Sequence, residues 1–486
     1  MKKNISVTFH STCVEVTGSC RIITISFPDF TSKNILVDCG SFMETKYNYL
    51  NANLPNILPQ NIDFVFITHD HTDHDGRLPM LVKNGYSGNI YSTLETKELM
   101  FETLMDSFGI QKRAKRAKKA KKAKKANRKS NGFYYSRNDV EHTLKLVETI
   151  DYEKVTKIDE NISMTFFKNG HMLGAAIILL QIHFEGCEDI NLLFTGDYKK
   201  DNLLFKVPKI PLWVRKLKNV FLFQESTYGI TKQKSVKKVF GKNVTKAIKE
   251  GKTVVAFVLA KERPFQVLNE ILKLQQKGKI PKDIPIYLDG LSLQIFFAKY
   301  RELLNDSIPL PKNINFITPS DRALIMNESS SKIILPTSGI GSFGAAPIYI
   351  ERYIEDSNAL LQFNSYCAPN TFGAQLMNIE IGSTINFKIN NTRNLKRFCD
   401  IKWTSQFSSH TKLEDNINFA KSFKHLNAVF VSHGGTQSRI DYANALNEEL
   451  VSTDVFVESS QNVYRIFSDG TIKIFSSTNN LNTKSA

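Results

Sequence analysis

The chain has 486 residues, 42% of them apolar, enough for two or three domains with buried cores. No apolar run reaches the length of a membrane span. The start, Met1-Lys2-Lys3-Asn4, passes into alternating strand-like sequence rather than a signal peptide. The formal charge of +17 points to a polyanion, but the segment 112–129 alone holds twelve Lys and Arg and no acid, and removing it leaves +5. Six cysteines (Cys13, Cys20, Cys39, Cys187, Cys367, Cys399) are scattered without C-x-x-C spacing, as expected of reduced thiols in a cytoplasm.

In chain order, Val14 to Cys20 followed by Ile22-Ile23-Thr24-Ile25 reads as strand, turn, strand. Asn34-Ile35-Leu36-Val37-Asp38-Cys39-Gly40 is a strand ending in an acid and a glycine. Asp63-Phe64-Val65-Phe66-Ile67 is an apolar run of buried-strand type. The period-three Lys-Lys-Ala repeat from Lys118 drifts around a helix of 3.6 residues per turn. It makes no apolar face, so it is an appendage, either a basic arm for phosphates or a solvated insertion. Ile177 to Ile182 and Asn191 to Thr195 are further strands. From about 210 the rhythm changes. Thr253 to Val258, Ile284 to Leu288 and Lys332 to Leu335 each precede a helical stretch, the alternation of a parallel α/β unit. After about 395, strand-like pieces return at Ala428 to Val431 and Ile472 to Phe475.

The chemistry sits at strand ends. Thr68-His69-Asp70-His71-Thr72-Asp73-His74-Asp75-Gly76 follows the buried run at 63–67. His69 and His71 are two apart, so on extended chain they point the same way. Imidazole and carboxylate without thiolate suit Zn²⁺ held for catalysis. His171 lies between two glycines in Gly170-His171-Met172-Leu173-Gly174, on a loop that can approach a metal closely. Asp197 ends Leu193-Phe194-Thr195-Gly196-Asp197 and could bridge two ions, and His433 ends Val429-Phe430-Val431-Ser432-His433. The repeated device is more specific than any one instance of it. Gly339-Ile340-Gly341-Ser342-Phe343-Gly344 matches a dinucleotide fingerprint literally, but no second nucleotide half accompanies it. His10, His142, His183 and His425 stand in no metal spacing.

Over nearly its full length the chain resembles the metallo-β-lactamase fold, and within it the β-CASP family of RNA-processing nucleases. Asp38 matches the first motif, a buried supporting carboxylate; His69, His71, Asp73 and His74 match the second, His171 the third and Asp197 the fourth. Glu225-Ser226-Thr227-Tyr228-Gly229 resembles acidic motif A, His410 motif B and His433 motif C, the last typical of the family's RNA enzymes. Some positions depart from the pattern. Ser409 replaces the glycine before His410, Gly435 stands where an acid is common, and the stretch Ala260 to Gln266 blurs a Gly-Arg-x-Gln-Glu signature.

The resemblance implies an α/β architecture: an αββα sandwich split in sequence by an inserted parallel α/β β-CASP domain. The expected borders are 1–205 (with the basic insertion 112–129), 206–390 for the insert, and 391–486. One zinc would take His69, His71 and His171, the other Asp73, His74 and His433, with Asp197 bridging. Asp73, His410 and Glu225 would be catalytic. The expected activity is zinc-dependent, two-metal hydrolysis of RNA, cutting internally, in the cytoplasm. RNA is the expected partner, a homodimer is allowed, and a membrane is not involved. The alternatives are a 5′ exoribonuclease of the same family, a metallo-hydrolase of small esters or thioesters, and an inactive RNA-binding scaffold.

Overall fold

The computed structural model describes residues 6–12, 15–122, 134–230, 239–367, 371–387 and 393–476. The chain divides into two compact units. The first comprises Met1–Lys232 and Ser409–Ala486, the second Gln233–Ser408.

Two sheets make the frame of the first unit. One has eight strands in the spatial order Ile472–Ser476, Asn462–Phe467, Ser6–Ser11, Arg21–Ser26, Ser32–Val37, Phe64–Phe66, Asn89–Ser92, Val147–Thr149. The other has seven, in the order Asp454–Val457, Leu426–Ser432, Val220–Glu225, Ile190–Phe194, Ala176–Ile182, Ile162–Lys168, Thr156–Asp159. Strand periodicity sorts the apolar residues into layers. Phe9, Ile23, Ile25, Ile35 and Val37 from the first sheet meet Phe166, Ile178, Leu192, Phe223 and Phe430 from the second in one buried core. The alternate residues Ile22, Leu36 and Val65 face outward onto Leu78, Leu81 and Met100, which lie on helices. On the far side, Leu179, Leu222 and Val429 pack on Phe419, Tyr442 and Leu446 of two more helices. The layers therefore run helix, sheet, sheet, helix, as the αββα expectation requires.

The second unit is built on a six-stranded, wholly parallel sheet: Ile314–Ile317, Ile286–Asp289, Ile333–Pro336, Thr253–Phe257, Ala359–Phe363, Asp400–Trp403. The glycine-rich loop at 339–344 leads into the helix Ala346–Tyr353. Gly344 (φ 68°) is there for packing, because a Cβ would stand 2.8 Å from the Thr337 carbonyl. No described helix is long and apolar enough to cross a membrane.

Three expectations shift. The insert begins near 233 rather than 206, because the strand Val220–Glu225 pairs with Ile190–Phe194 and Leu426–Ser432 of the first unit. It ends near 408 rather than 390, because Asp400–Trp403 pairs with Ala359–Phe363. Residues 15–20 form a loop, not a strand. Their backbone groups bond to the motif loops, with Ser19 N donating to the Asp73 carbonyl (2.9 Å) and Gly40 N to the Ser19 carbonyl (2.8 Å). Of the basic insertion, the part up to Lys122 continues the helix Leu94–Lys122. Residues 123–129 lie outside the described residues.

Phe9 is the aromatic hinge of the inter-sheet core. Its ring meets Phe223 and Phe430 edge-on (centroids 4.8 and 4.7 Å) and stacks on Tyr464. Phe9→Ala is expected to destabilise the first unit by about 3–5 kcal/mol. Guanidinium unfolding followed in the full chain should show its transition moving to lower denaturant, while that of the second unit stays in place.

Candidate metal centre

The centre assembles where strands of both sheets end. After Phe64–Phe66 the chain leaves the sheet, bends at Asp70, reaches an extended His71 (φ −114°, ψ 144°) and then turns into the short helix Thr72–Asp75. His69 Nε2 and His71 Nδ1 come within 3.2 Å, and His171 Nε2 lies 3.0 Å from the same His71 nitrogen. Asp197 Oδ2 stands 3.7 Å from His69 Nε2 and 3.5 Å from His171 Nε2. A second group forms alongside. His74 Nε2 and His433 Nε2 are 3.4 Å apart, and Asp73 Oδ2 lies 3.9 and 3.6 Å from them. Asp197 Oδ1 stands 3.4 Å from His74 Nε2 and 3.1 Å from His433 Nε2. In each group of four the donor atoms all lie within 4.8 Å of one another. The structure thus brings together all seven residues expected at the metals. The other five histidines, His10, His142, His183, His410 and His425, belong to neither group.

A single carboxylate can serve both groups because its loop approaches very closely. Gly196 (φ 56°) precedes Asp197, and a Cβ there would stand 2.8 Å from the Thr68 side chain.

Each imidazole is oriented through its other nitrogen. His74 Nδ1 lies 2.8 Å from Asp38 Oδ2, and His171 Nδ1 lies 3.0 Å from the Ser409 carbonyl. These oxygens only accept, so both Nδ1 atoms carry hydrogen and both Nε2 atoms face the centre. Thr68 Oγ1 lies 3.0 Å from His69 Nδ1, and Thr227 Oγ1 lies 3.0 Å from His433 Nδ1. Asp38 is buried with a left-handed backbone (φ 62°) and also accepts from Thr68 N (2.8 Å). It is the supporting carboxylate rather than a member of either donor group.

Several contributors were not evident from sequence. Asn169 staples two loops. Its Nδ2 donates to the carbonyls of Thr195 (2.9 Å) and Asp197 (2.6 Å), while its Oδ1 accepts from His171 N (2.9 Å). Thr68 and Thr227 set ring orientation. The available signal was position alone, since each adjoins or nearly adjoins a motif histidine or acid. Ser409 also explains a departure from the family pattern: it acts through its carbonyl, which any residue supplies.

The electrostatics favour a cation. Burial, with His74 and His171 nearby, holds His69 well below the usual imidazole range, and burial takes His171 down to about 4. Burial would raise Asp197, but His433, His74 and His171 hold it well below the carboxylate range. Burial would lower His74, yet Asp197 and Asp38 push it well above its ordinary value. Converging imidazole nitrogens, carboxylates that draw positive charge, and a buried Asp197 Oδ1 without a hydrogen-bond partner fit a divalent-metal site.

His410 stands beside the donors, its ring centroid 4.9 Å from that of His171. Its Nδ1 lies 3.0 Å from Glu225 Oε1. Glu225 is buried and also accepts from Tyr198 N (3.0 Å) and Thr227 N (2.9 Å). Burial would lower His410, but the Glu225 carboxylate outweighs it and raises the imidazole to about 9. A protonated imidazole is thereby held next to the donor groups.

Comparison with known proteins agrees with this geometry. Residues 28–207 match the metallo-beta-lactamase superfamily domain, and residues 265–376 match the Beta-Casp domain. A transcription termination factor FttA of Methanosarcina mazei is 30% identical over 471 residues, covering 92% of this chain and 69% of that protein. An RNase J-like protein of Methanocaldococcus jannaschii is 25% identical over 448 residues, covering 90% of this chain and 94% of that protein. The FttA protein of Methanothermobacter thermautotrophicus is 26% identical, with 85% of this chain and 65% of that protein covered. With both domains matched and a relative of this identity along almost the whole sequence, the chain belongs to the β-CASP branch of the metallo-β-lactamase superfamily of metal-dependent hydrolases.

Proposed function

We propose that this protein is a zinc-dependent ribonuclease of the cytoplasm that cuts RNA internally. The observation that carries the reading is the sharing of Asp197 between two donor groups, with His410, held by Glu225, beside them. The match to an RNase J-like protein over 94% of that protein's length supports RNA as substrate. The five described cysteines are unpaired, as suits a reducing compartment.

His69, His71 and His171 would hold one zinc, Asp73, His74 and His433 the other, and Asp197 both. Such a pair lowers the pKa of a bound water and neutralises charge on the scissile phosphate. The chain's own residues supply the rest. Asp38 and the Ser409 carbonyl keep Nε2 of His74 and His171 turned inward. Asp73, which burial would raise but His433 and His74 bring down to about 2, is a carboxylate at neutral pH and can take the proton of the attacking water. His410, its Nδ1 fixed by Glu225, delivers a proton from Nε2 to the leaving oxygen. Nothing in this division of labour requires a chain end, which is why internal cutting is the proposed mode. The segment 112–129 adds sequence-independent phosphate contacts.

RNA labelled separately at each end tests the activity. Zinc-loaded protein should give internal fragments from both labels, and chelator should abolish them. Asp73→Ala should be inactive. His410→Ala should be slower by about 10²–10⁴-fold with its metal content intact. Labelled mononucleotides from one end would indicate the exonuclease instead, and full activity of Asp73→Ala would contradict the site. Replacing 112–129 with a short neutral linker should weaken RNA binding and flatten its dependence on salt, measured by fluorescence anisotropy from low to high salt. An unchanged slope would exclude phosphate contact by the segment.

A further inference from the structure

His433 occupies a demanding position. It follows the last residue of Leu426–Ser432, and its backbone is left-handed (φ 49°), an uncommon conformation away from glycine and one that its surroundings hold in place. Its own sheet supplies part of that constraint. Ser226 N donates to the His433 carbonyl (3.2 Å), and Ser226 Oγ donates to the Ser432 carbonyl (2.9 Å). Gly434 N donates to the Glu15 carbonyl (3.2 Å).

The remaining support comes from the opposite sheet. Arg21 opens the strand Arg21–Ser26, and its Nε donates to both carboxylate oxygens of Glu458, at 2.9 and 3.2 Å. Its Nη2 donates to Ser432 Oγ. Glu458 is fixed in turn, its N donating to the Val431 carbonyl (2.9 Å) and its own carbonyl accepting from Arg439 Nη1 (2.9 Å). The side chains of Arg21 and Glu458 are 11% and 1% exposed, and the guanidinium lies over the Phe223 ring. A buried ion pair is poor evidence of stabilisation, because desolvation offsets its attraction. Its placement says more. It reaches the residue next to His433, whereas His69 is steadied by Thr68 and His171 by Asn169 and Ser409.

We propose that the Arg21–Glu458 pair is a positioning device for His433. It clamps the Ser432 end of the strand and so sets the geometry of the Asp73, His74, His433 group while leaving the His69, His71, His171 group alone. This inference rests on the reading of the two groups as metal sites.

Zinc titration of the metal-free full chain against a chromophoric chelator tests it, because it resolves the two equivalents. Arg21→Lys keeps the charge but loses the planar fork. Ser432→Ala removes only the hydroxyl that Arg21 reaches. Each is expected to weaken one equivalent about tenfold, the one that His433→Ala removes, and to leave the other unchanged. A purely structural role would lower thermal stability and shift both equivalents together or neither. Parallel weakening, or no weakening, therefore overturns the proposal. If Arg21→Lys does not fold, Ser432→Ala decides alone. A wild-type chain that takes up no zinc would instead overturn the metal reading itself.

Discussion

Asp197 is a buried carboxylate whose two oxygens face two different sets of imidazoles, and the rest of the first unit can be understood as the means of holding it there. Oδ2 looks toward His69 and His171, Oδ1 toward His74 and His433. Removing a carboxylate and several imidazoles from water is costly unless their charges and lone pairs are satisfied. Divalent cations bound there would satisfy them at once: they would offset the charge of Asp73 and Asp197 and accept the lone pairs of the inward-facing nitrogens.

The fold meets that demand with a rigid frame and short loops. The inter-sheet core is dense with phenylalanine, and no donor sits inside it. Asp73 and His74 lie on the short helix Thr72–Asp75 and the other donors on loops near strand ends, and the backbone around them takes unusual conformations: Asp38, which supports His74, at φ 62°, Gly196, before Asp197, at φ 56°, and His433 at φ 49°. Loops from different strands are then tied to one another rather than left to their own stiffness. Asn169 joins the His171 and Asp197 loops, Thr227 steadies the His433 ring, and Arg21 crosses from one sheet to the other. Both donor groups lie within one unit of the chain, and among the described residues the second unit contributes no donor to either.

Much of this was legible in the sequence, because the donors announce themselves locally. An apolar strand followed by H-x-H-x-D-H, a histidine between glycines and an aspartate after a strand are patterns of neighbouring residues, and resemblance to a family ordered them. The supporting residues were not legible in the same way. Thr68, Asn169 and Ser409 are common residue types whose roles depend on partners brought near by folding, and Arg21 and Glu458 are 437 positions apart. The borders of the insert were misplaced for a related reason. Val220–Glu225 and Asp400–Trp403 look like ordinary strands, and only their pairing partners reveal the sheet to which each belongs. Residues 15–20 alternate like a strand, but their backbone groups are taken up by the motif loops.

The most direct test of the account is anomalous X-ray scattering at the zinc edge from crystals of the full chain grown with zinc. The account predicts two peaks, one on each side of Asp197, the first bounded by His69, His71 and His171 and the second by Asp73, His74 and His433. A single peak, no peak, or zinc bound elsewhere with Asp197 uncoordinated would contradict it.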